Sequence, residues 1–317
     1  MSMEKINYLR VSVTDYCNLN CIYCKSGDCL HLSRREVLNF DEIEYFVQLA
    51  VGRGIEKVRI TGGEPLIKRD ILVLLKMLRE IPGFKNLSLT TNGVRLGQFA
   101  PDLKRIGIDS INVSLDTLDP GKFISITGKD ELQNVLDGIA LVKNLGIPVN
   151  LNVVMLRGIN DGEIIDFLKF AKDNSLVLRF IEYMPVGENL NEEWFFSNLV
   201  VKNKIEDYLG FLEQYPIFNS ELAGPAKYYK NSGLVIGFIS AMSAPFCSTC
   251  NRIRLTIDGN LHPCLFSRSE FNIKNALREG DEQEVRRLFL QACESKKYIC
   301  QRPKDHFIPV SMSRIGG

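Results

Sequence analysis

Cys17-Asn18-Leu19-Asn20-Cys21-Ile22-Tyr23-Cys24 is the stretch on which the reading of the chain turns. Its three cysteines stand four and three residues apart, close enough for three thiolates to converge on one metal centre. Thiolates are the soft ligands that iron–sulfur clusters and zinc prefer. A four-iron cluster takes four ligands, so three cysteines leave one iron open to a small molecule. That open corner separates a cluster that does chemistry from one that only carries electrons. A zinc knuckle or a disulfide-forming loop would use the same residues, with Cys29, five residues past Cys24, as a further thiol. The context favours the cluster: a strand-like run over 8–13 leads into the loop, and Tyr23 stands just before the last cysteine.

Beyond the loop, branched apolar runs recur at 58–61, 87–91, 111–115, 149–154 and 177–181. Helix-like spacing fills 41–53, 70–80, 131–145 and 162–173, with Asp41 and Glu44 as a candidate cap pair. Such alternation predicts a parallel sheet covered by helices. Six strands suit an α/β fold of partial (β/α)6 barrel type, whose ligands bind at the C-terminal strand ends. The pattern changes after Met184-Pro185-Val186-Gly187. A polar connection with a helix is expected over 192–212, short antiparallel strands over 227–240 and 252–263, and a helix over 281–294. The expected division is a core of 1–187 and a C-terminal extension of 188–317.

In Arg59-Ile60-Thr61-Gly62-Gly63-Glu64-Pro65 a strand runs straight into two glycines, which let a backbone approach a ligand closely or simply make a tight turn. Alternation puts Lys57, Arg59 and Thr61 on one strand face. Basic residues there are costly unless they pair or meet an anion. Arg10 on the first strand, and Lys68 and Arg69 after the glycines, raise the same question. Arginine can grip phosphate oxygens with two hydrogen bonds, so a polyphosphate would suit them. Thr90-Thr91-Asn92-Gly93 ends the third strand and Asn112–Asp116 covers the fourth. Strand ends on this rim are favoured functional sites, although Asn92 reads mainly as turn chemistry.

A second cysteine set, Cys247-Ser248-Thr249-Cys250 with Cys264 after thirteen more residues, again offers three thiols. Zinc, with His262 or Cys293 as fourth ligand, is the alternative to a second cluster. Cys29, Cys293 and Cys300 are most simply free thiols, and the single Trp194 reads as packing.

The first cysteine loop and the Gly-Gly-Glu-Pro element resemble those of the radical S-adenosylmethionine (SAM) enzymes. The span 246–266, together with Leu9–Asp15, Ile126-Thr127-Gly128, Arg179-Phe180-Ile181-Glu182 and the terminal Gly316-Gly317, is similar to the GTP 3′,8-cyclase family within them, nearly end to end. The resemblance implies two 4Fe-4S clusters, one on Cys17, Cys21 and Cys24 and one on Cys247, Cys250 and Cys264. It implies SAM contacts at Tyr23, Gly63, Glu64, Ser114 and Met184. GTP contacts fall at Arg10, Arg59, Thr90, Arg252, Ile253 and Arg254, with Lys57 and Arg179 as weaker phosphate candidates. Asn150 stands where the family usually has a GTP-binding lysine, and the loop after Cys24 is short, so a paralogue acting on another nucleotide or a peptide is the rival reading. The implied reaction is the conversion of GTP to 3′,8-cyclo-7,8-dihydroguanosine 5′-triphosphate, opening molybdenum cofactor biosynthesis, with cyclic pyranopterin monophosphate synthase downstream. The resemblance admits a homodimer and leaves the electron donor unnamed.

Composition narrows the classes. A formal net charge of +1 argues against a broad nucleic-acid surface, and 45% hydrophobic residues describe a globular chain. No apolar run reaches the length of a membrane span and the N-terminus lacks a signal-peptide core, so a cytoplasmic protein is expected. Nine cysteines in such a chain suggest metal ligands before disulfides. The non-enzymatic rival is an iron–sulfur electron carrier or a zinc-binding interaction protein.

Overall fold

The computed structural model describes residues 6–24, 31–185, 191–216, 224–267 and 269–299. Cys29, Cys300, the boundary at 187/188 and the Gly316-Gly317 tail lie outside the described residues. Strands β1 (Tyr8–Ser12), β2 (Lys57–Thr61), β3 (Asn86–Thr91), β4 (Ser110–Ser114), β5 (Val149–Met155) and β6 (Val177–Glu182) pair in order and in parallel. Between them run α1 (Phe40–Val51), α2 (Ile71–Arg79), α3 (Leu96–Ile106), α4 (Pro120–Thr127), α5 (Leu132–Asn144) and α6 (Ile164–Asp173). This is the expected α/β partial barrel. Val58 and Ile60 are sealed within the apolar core, while their strand neighbours turn to the opposite face.

The C-terminal residues extend the same sheet at both edges. After α7 (Asn198–Leu209) come β7 (Glu213–Gln214), β8 (Lys227–Asn231) and β9 (Leu234–Ile239). The hairpin of β8 and β9 is antiparallel, as expected, but β9 also runs parallel to β6. β10 (Arg252–Leu255) joins β1 in parallel at the other end, with β11 (Asn260–His262) and β12 (Phe271–Asn272) outside it. Helices α8 (Lys274–Glu279) and α9 (Glu282–Ile299) close the described chain. They dock on the N-terminal half: Phe289 meets Phe46 of α1 edge to face at 5.8 Å, and Arg278 pairs with Glu42 at 2.8 Å.

One local expectation is corrected, and one helix is added to those read from the sequence. The cap of α1 is Asn39, whose side chain accepts from the Glu42 amide while Glu42 answers to the Asn39 amide, so the box lies two residues before Asp41. Helix α3 is not among the stretches named from the sequence, and its Gly97 and Pro101 speak against a helix. Tertiary packing overrides that: a Cβ on Gly138 of α5 would lie 3.0 Å from Leu96 Cβ and 3.1 Å from the Gly97 amide. The two helices press together where each has a glycine.

Candidate active site

Residues from all eight parallel strands, β10, β1 to β6 and β9, line one cavity of about 340 Å³, so the sheet curls around it. The volume suits a small-molecule site. Cys17, Cys21 and Cys24 line one part of it and Cys247, Cys250 and Cys264 another. The two sets, more than 200 residues apart in sequence, meet because β10 lies against β1. Among the described residues, no three His, Cys, Asp or Glu side chains meet at a point suited to one metal ion. A multi-iron cluster takes its thiolates on different irons and does not require them to.

The first cysteine loop is held by backbone. Gly63 N donates to Thr14 O at 2.6 Å and Glu64 N to Tyr16 O at 2.7 Å. A Cβ on Gly63 would stand 2.1 Å from Tyr16 O, and Gly62 adopts φ +149° with the Thr14 carbonyl 2.6 Å from its own missing Cβ. The two glycines thus serve close packing of the loop that leads to Cys17, and the Gly63 amide is not available to a ligand. Gly63 still lines the cavity. Glu64 does not; its buried carboxylate accepts from Leu66 N, Thr91 Oγ1 and Asn92 N at 2.9, 2.7 and 2.6 Å. Burial raises its pKa to about 7 against the pull of those bonds.

Asn92 does more than turn. Its Oδ1 accepts from Val94 N as a turn residue does, while Nδ2 donates to Asn18 at 2.9 Å and points at Cys17 Sγ at 3.7 Å. Tyr23 donates to Asp116, whose other oxygen accepts from Val154 N at 2.8 Å. Burial lifts Asp116 to about 6, with the Tyr23 bond acting against it. Ser114 and Met184 also line the cavity. Burial first, then Cys24, Asp116 and Cys17, push the Cys21 thiol well above its ordinary range, and burial with Cys17 lifts Cys24 to about 12. Three thiolates cannot coexist in this setting without a cation among them, which fits a metal cluster.

The cavity lining is also basic. Register places Tyr8 between Arg252 and Lys57, and Arg10 between Arg254 and Arg59, as two rows across β10, β1 and β2. Seven Lys and Arg side chains, and no Asp or Glu, line the cavity among the described residues. Burial and mutual repulsion show in their titration. Arg10 is held well below its usual range by burial and then by Arg254; burial brings Lys57 down to about 8 and Arg254 to about 10. Burial would raise the Tyr8 phenol, but Arg59, Lys57, Arg10 and Arg252 outweigh it and bring it to about 7. Burial would likewise raise Cys250, yet Arg252 and Lys296 bring it to about 6. Arg59 Nε, Arg179 Nε and Thr90 Oγ1 are buried with no hydrogen-bond partner among the described residues. Such an array is costly unless an anion enters it.

Two candidates stand apart. Ile253 is 1% exposed and packs in the core, so only its backbone faces the arginine row. Asn150 shares the inward face of β5 with Asn152 but does not line the cavity; it donates to Asn112 at 3.1 Å. Sequence reasoning missed Tyr8 and Lys296, and named Asn112 only as part of a strand-end stretch. Tyr8 was findable from its even spacing with Arg10; Lys296 had no signal of its own.

A family model for the radical SAM superfamily matches residues 11–171, and one for Molybdenum Cofactor Synthesis C matches 176–301. A GTP 3′,8-cyclase of Thermodesulfovibrio yellowstonii is 43% identical over 322 aligned residues, covering 99% of this chain and 98% of its own. One from Petrotoga mobilis is 41% identical with the same coverage. Among solved structures, Streptococcus suis SuiB bound to S-adenosylmethionine shares the fold at TM-score 0.66 and 16% identity, over 86% of this chain and 64% of that one. Native anSMEcpe with bound AdoMet does so at 0.59 and 17%, over 88% and 79%. The chain belongs to the radical SAM superfamily and, within it, to the family of the GTP 3′,8-cyclases. Membership brings a 4Fe-4S cluster and S-adenosylmethionine as cofactors. Among the described residues no helix is long and apolar enough to cross a membrane.

Proposed function

We propose that the protein is a radical SAM GTP 3′,8-cyclase that converts GTP to 3′,8-cyclo-7,8-dihydroguanosine 5′-triphosphate, the first step of molybdenum cofactor biosynthesis. The observation that carries this reading is the single cavity on which both cysteine sets and seven cations open, with no carboxylate among the described residues that line it. Cys17, Cys21 and Cys24 would hold the first 4Fe-4S cluster, and Cys247, Cys250 and Cys264 a second. When bound, the first cluster and SAM supply the 5′-deoxyadenosyl radical chemistry of the reaction.

The residues supply position. Tyr23, fixed by Asp116, with Gly63, Ser114 and Met184, would hold SAM beside the first cysteine loop. Glu64 acts through the backbone it braces, at Leu66 and Asn92. Arg10, Arg59, Arg252 and Arg254, with Lys57, Arg179 and Thr90, would take the triphosphate, and the backbone at Ile253 would help to seat the nucleotide between the two cysteine sets. A triphosphate carries about four negative charges, and buried guanidinium groups hold such oxygens with paired hydrogen bonds. Fixing both ends of GTP brings ribose C3′ and guanine C8 into one geometry, which is the main contribution a protein can make to such a ring closure. The enclosing sheet keeps water and stray hydrogen donors away.

The cyclic product is an isomer of GTP and would pass to the cyclic pyranopterin monophosphate synthase. Anaerobic incubation with SAM, a reductant and GTP, followed by mass analysis, should give 5′-deoxyadenosine and a new compound of GTP mass. Turnover of SAM with GTP left intact contradicts the reading.

A further inference from the structure

Lys296 is a cation of this cavity that the substrate contacts do not explain. It projects from α9, is 3% exposed and lines the cavity wall. A lysine buried this deeply is costly unless its ammonium finds partners. Its Nζ donates to the Arg252 carbonyl at 2.8 Å and to the Pro263 carbonyl at 2.7 Å. These carbonyls belong to different segments. Arg252 opens β10 two residues after Cys250, and Pro263 directly precedes Cys264. One ammonium therefore ties the segment carrying Cys247 and Cys250 to the segment carrying Cys264. Both partners are neutral carbonyls, so the positive charge stays uncompensated by them. An ammonium has three donors, and one is left for the cavity.

We propose that Lys296 is a positioning residue of the second cysteine site, which holds its two segments at one spacing and sets a fixed positive charge beside the anionic group they bind. This rests on the reading that Cys247, Cys250 and Cys264 carry a second 4Fe-4S cluster. Three thiolates give such a cluster net negative charge, and reduction adds more. Charge and hydrogen bonding around a cluster set its stability and its potential. Lys296 favours both the assembled cluster and its reduced state. Because it sits on the last described helix, it also couples the docking of α9 to the integrity of the substrate site.

The test compares the full-length protein, Lys296→Met and Lys296→Arg after anaerobic reconstitution. Iron content, electron paramagnetic resonance and the midpoint potential of the second cluster are measured, with SAM cleavage as the report on the first. The parent should hold about eight irons per chain and the Met variant about four. The Met variant should still cleave SAM, and the Arg variant should resemble the parent. A Met variant that retains the second cluster should show it at a lower potential than the parent. Parent-like iron, spectrum and potential in the Met variant overturn the proposal alone. A parent with about four irons and no second signal overturns the second-cluster reading and this proposal with it. Loss of both clusters in the Met and Arg variants alike also overturns it, since keeping the charge would then make no difference.

Discussion

Asn150 donates through Nδ2 to Oδ1 of Asn112 at 3.1 Å, and Arg179 Nη1 donates to that same oxygen at 3.3 Å. Asn150 thus anchors Asn112, a lining residue, and shares it with an arginine stacked on Tyr228 at 5.5 Å. Asn150 is a neutral amide at this position, with an arginine beside it.

Asn150→Lys should therefore tighten GTP. One charge-assisted hydrogen bond is worth roughly 1.5–3 kcal/mol, or about ten- to a hundredfold in affinity. The gain should lie at the lower end, because the Asn112 contact is given up for it. Equilibrium binding of GTP to both forms measures this. Unchanged affinity, with a different nucleotide bound better by the Asn form, would point to the paralogue.

Tyr8 and Lys57 give the GTP-free protein a pH signature. Tyr8 titrates at about 7 in the fold against 10.0 in the unfolded chain, and Lys57 at about 8 against 10.5. Above their folded values and below their unfolded ones, the unfolded chain holds the extra protons. Stability contributed by these groups therefore rises with pH from about 7 to about 10 and is lost as pH falls through the folded values. Urea unfolding across this window should show the rise. Tyr8→Phe should flatten its lower part by removing the phenolate that offsets the surrounding cations, while the Lys57 contribution persists. An unaltered profile in the Phe variant would contradict the assignment.

Gly63→Ala should disable radical generation while sparing the second cysteine set. The added Cβ would stand 2.1 Å from the Tyr16 carbonyl, so the loop bearing Cys17 must move. Relieving the overlap takes a shift of about 1 Å, and a misplacement of about 1 Å at a reacting centre costs about a hundredfold in rate. Reductive SAM cleavage measures it, and iron content and spectra show whether the second cluster survives. Near-normal cleavage would mean that the close packing of the two loops is dispensable.

The βα alternation, the inward face of Lys57, Arg59 and Thr61, and both cysteine sets were legible because each is a local pattern. The role of the glycines was legible only in part. Their need for close approach was visible, but not that the backbone of Thr14 and Tyr16 is what packs against them. The joining of β10 to β1 and of β9 to β6 was not legible, because each pairing links segments far apart in sequence. Lys296 was hidden for the same reason: its meaning depends on two carbonyls 33 and 44 residues away. Helix α3 was hidden because the glycine contact with α5 outweighs local propensity.

The most direct test of the central claim is hydrogen transfer from the ribose. GTP carrying deuterium at C3′ is incubated anaerobically with the protein, SAM and a reductant, and the 5′-deoxyadenosine is analysed by mass. The expected result is one deuterium in 5′-deoxyadenosine for each cyclised nucleotide, with Arg59→Ala and Arg254→Ala losing this transfer at GTP concentrations that saturate the parent. Unlabelled 5′-deoxyadenosine from a parent enzyme supplied with fully labelled GTP would show that the radical formed in this cavity acts on something else.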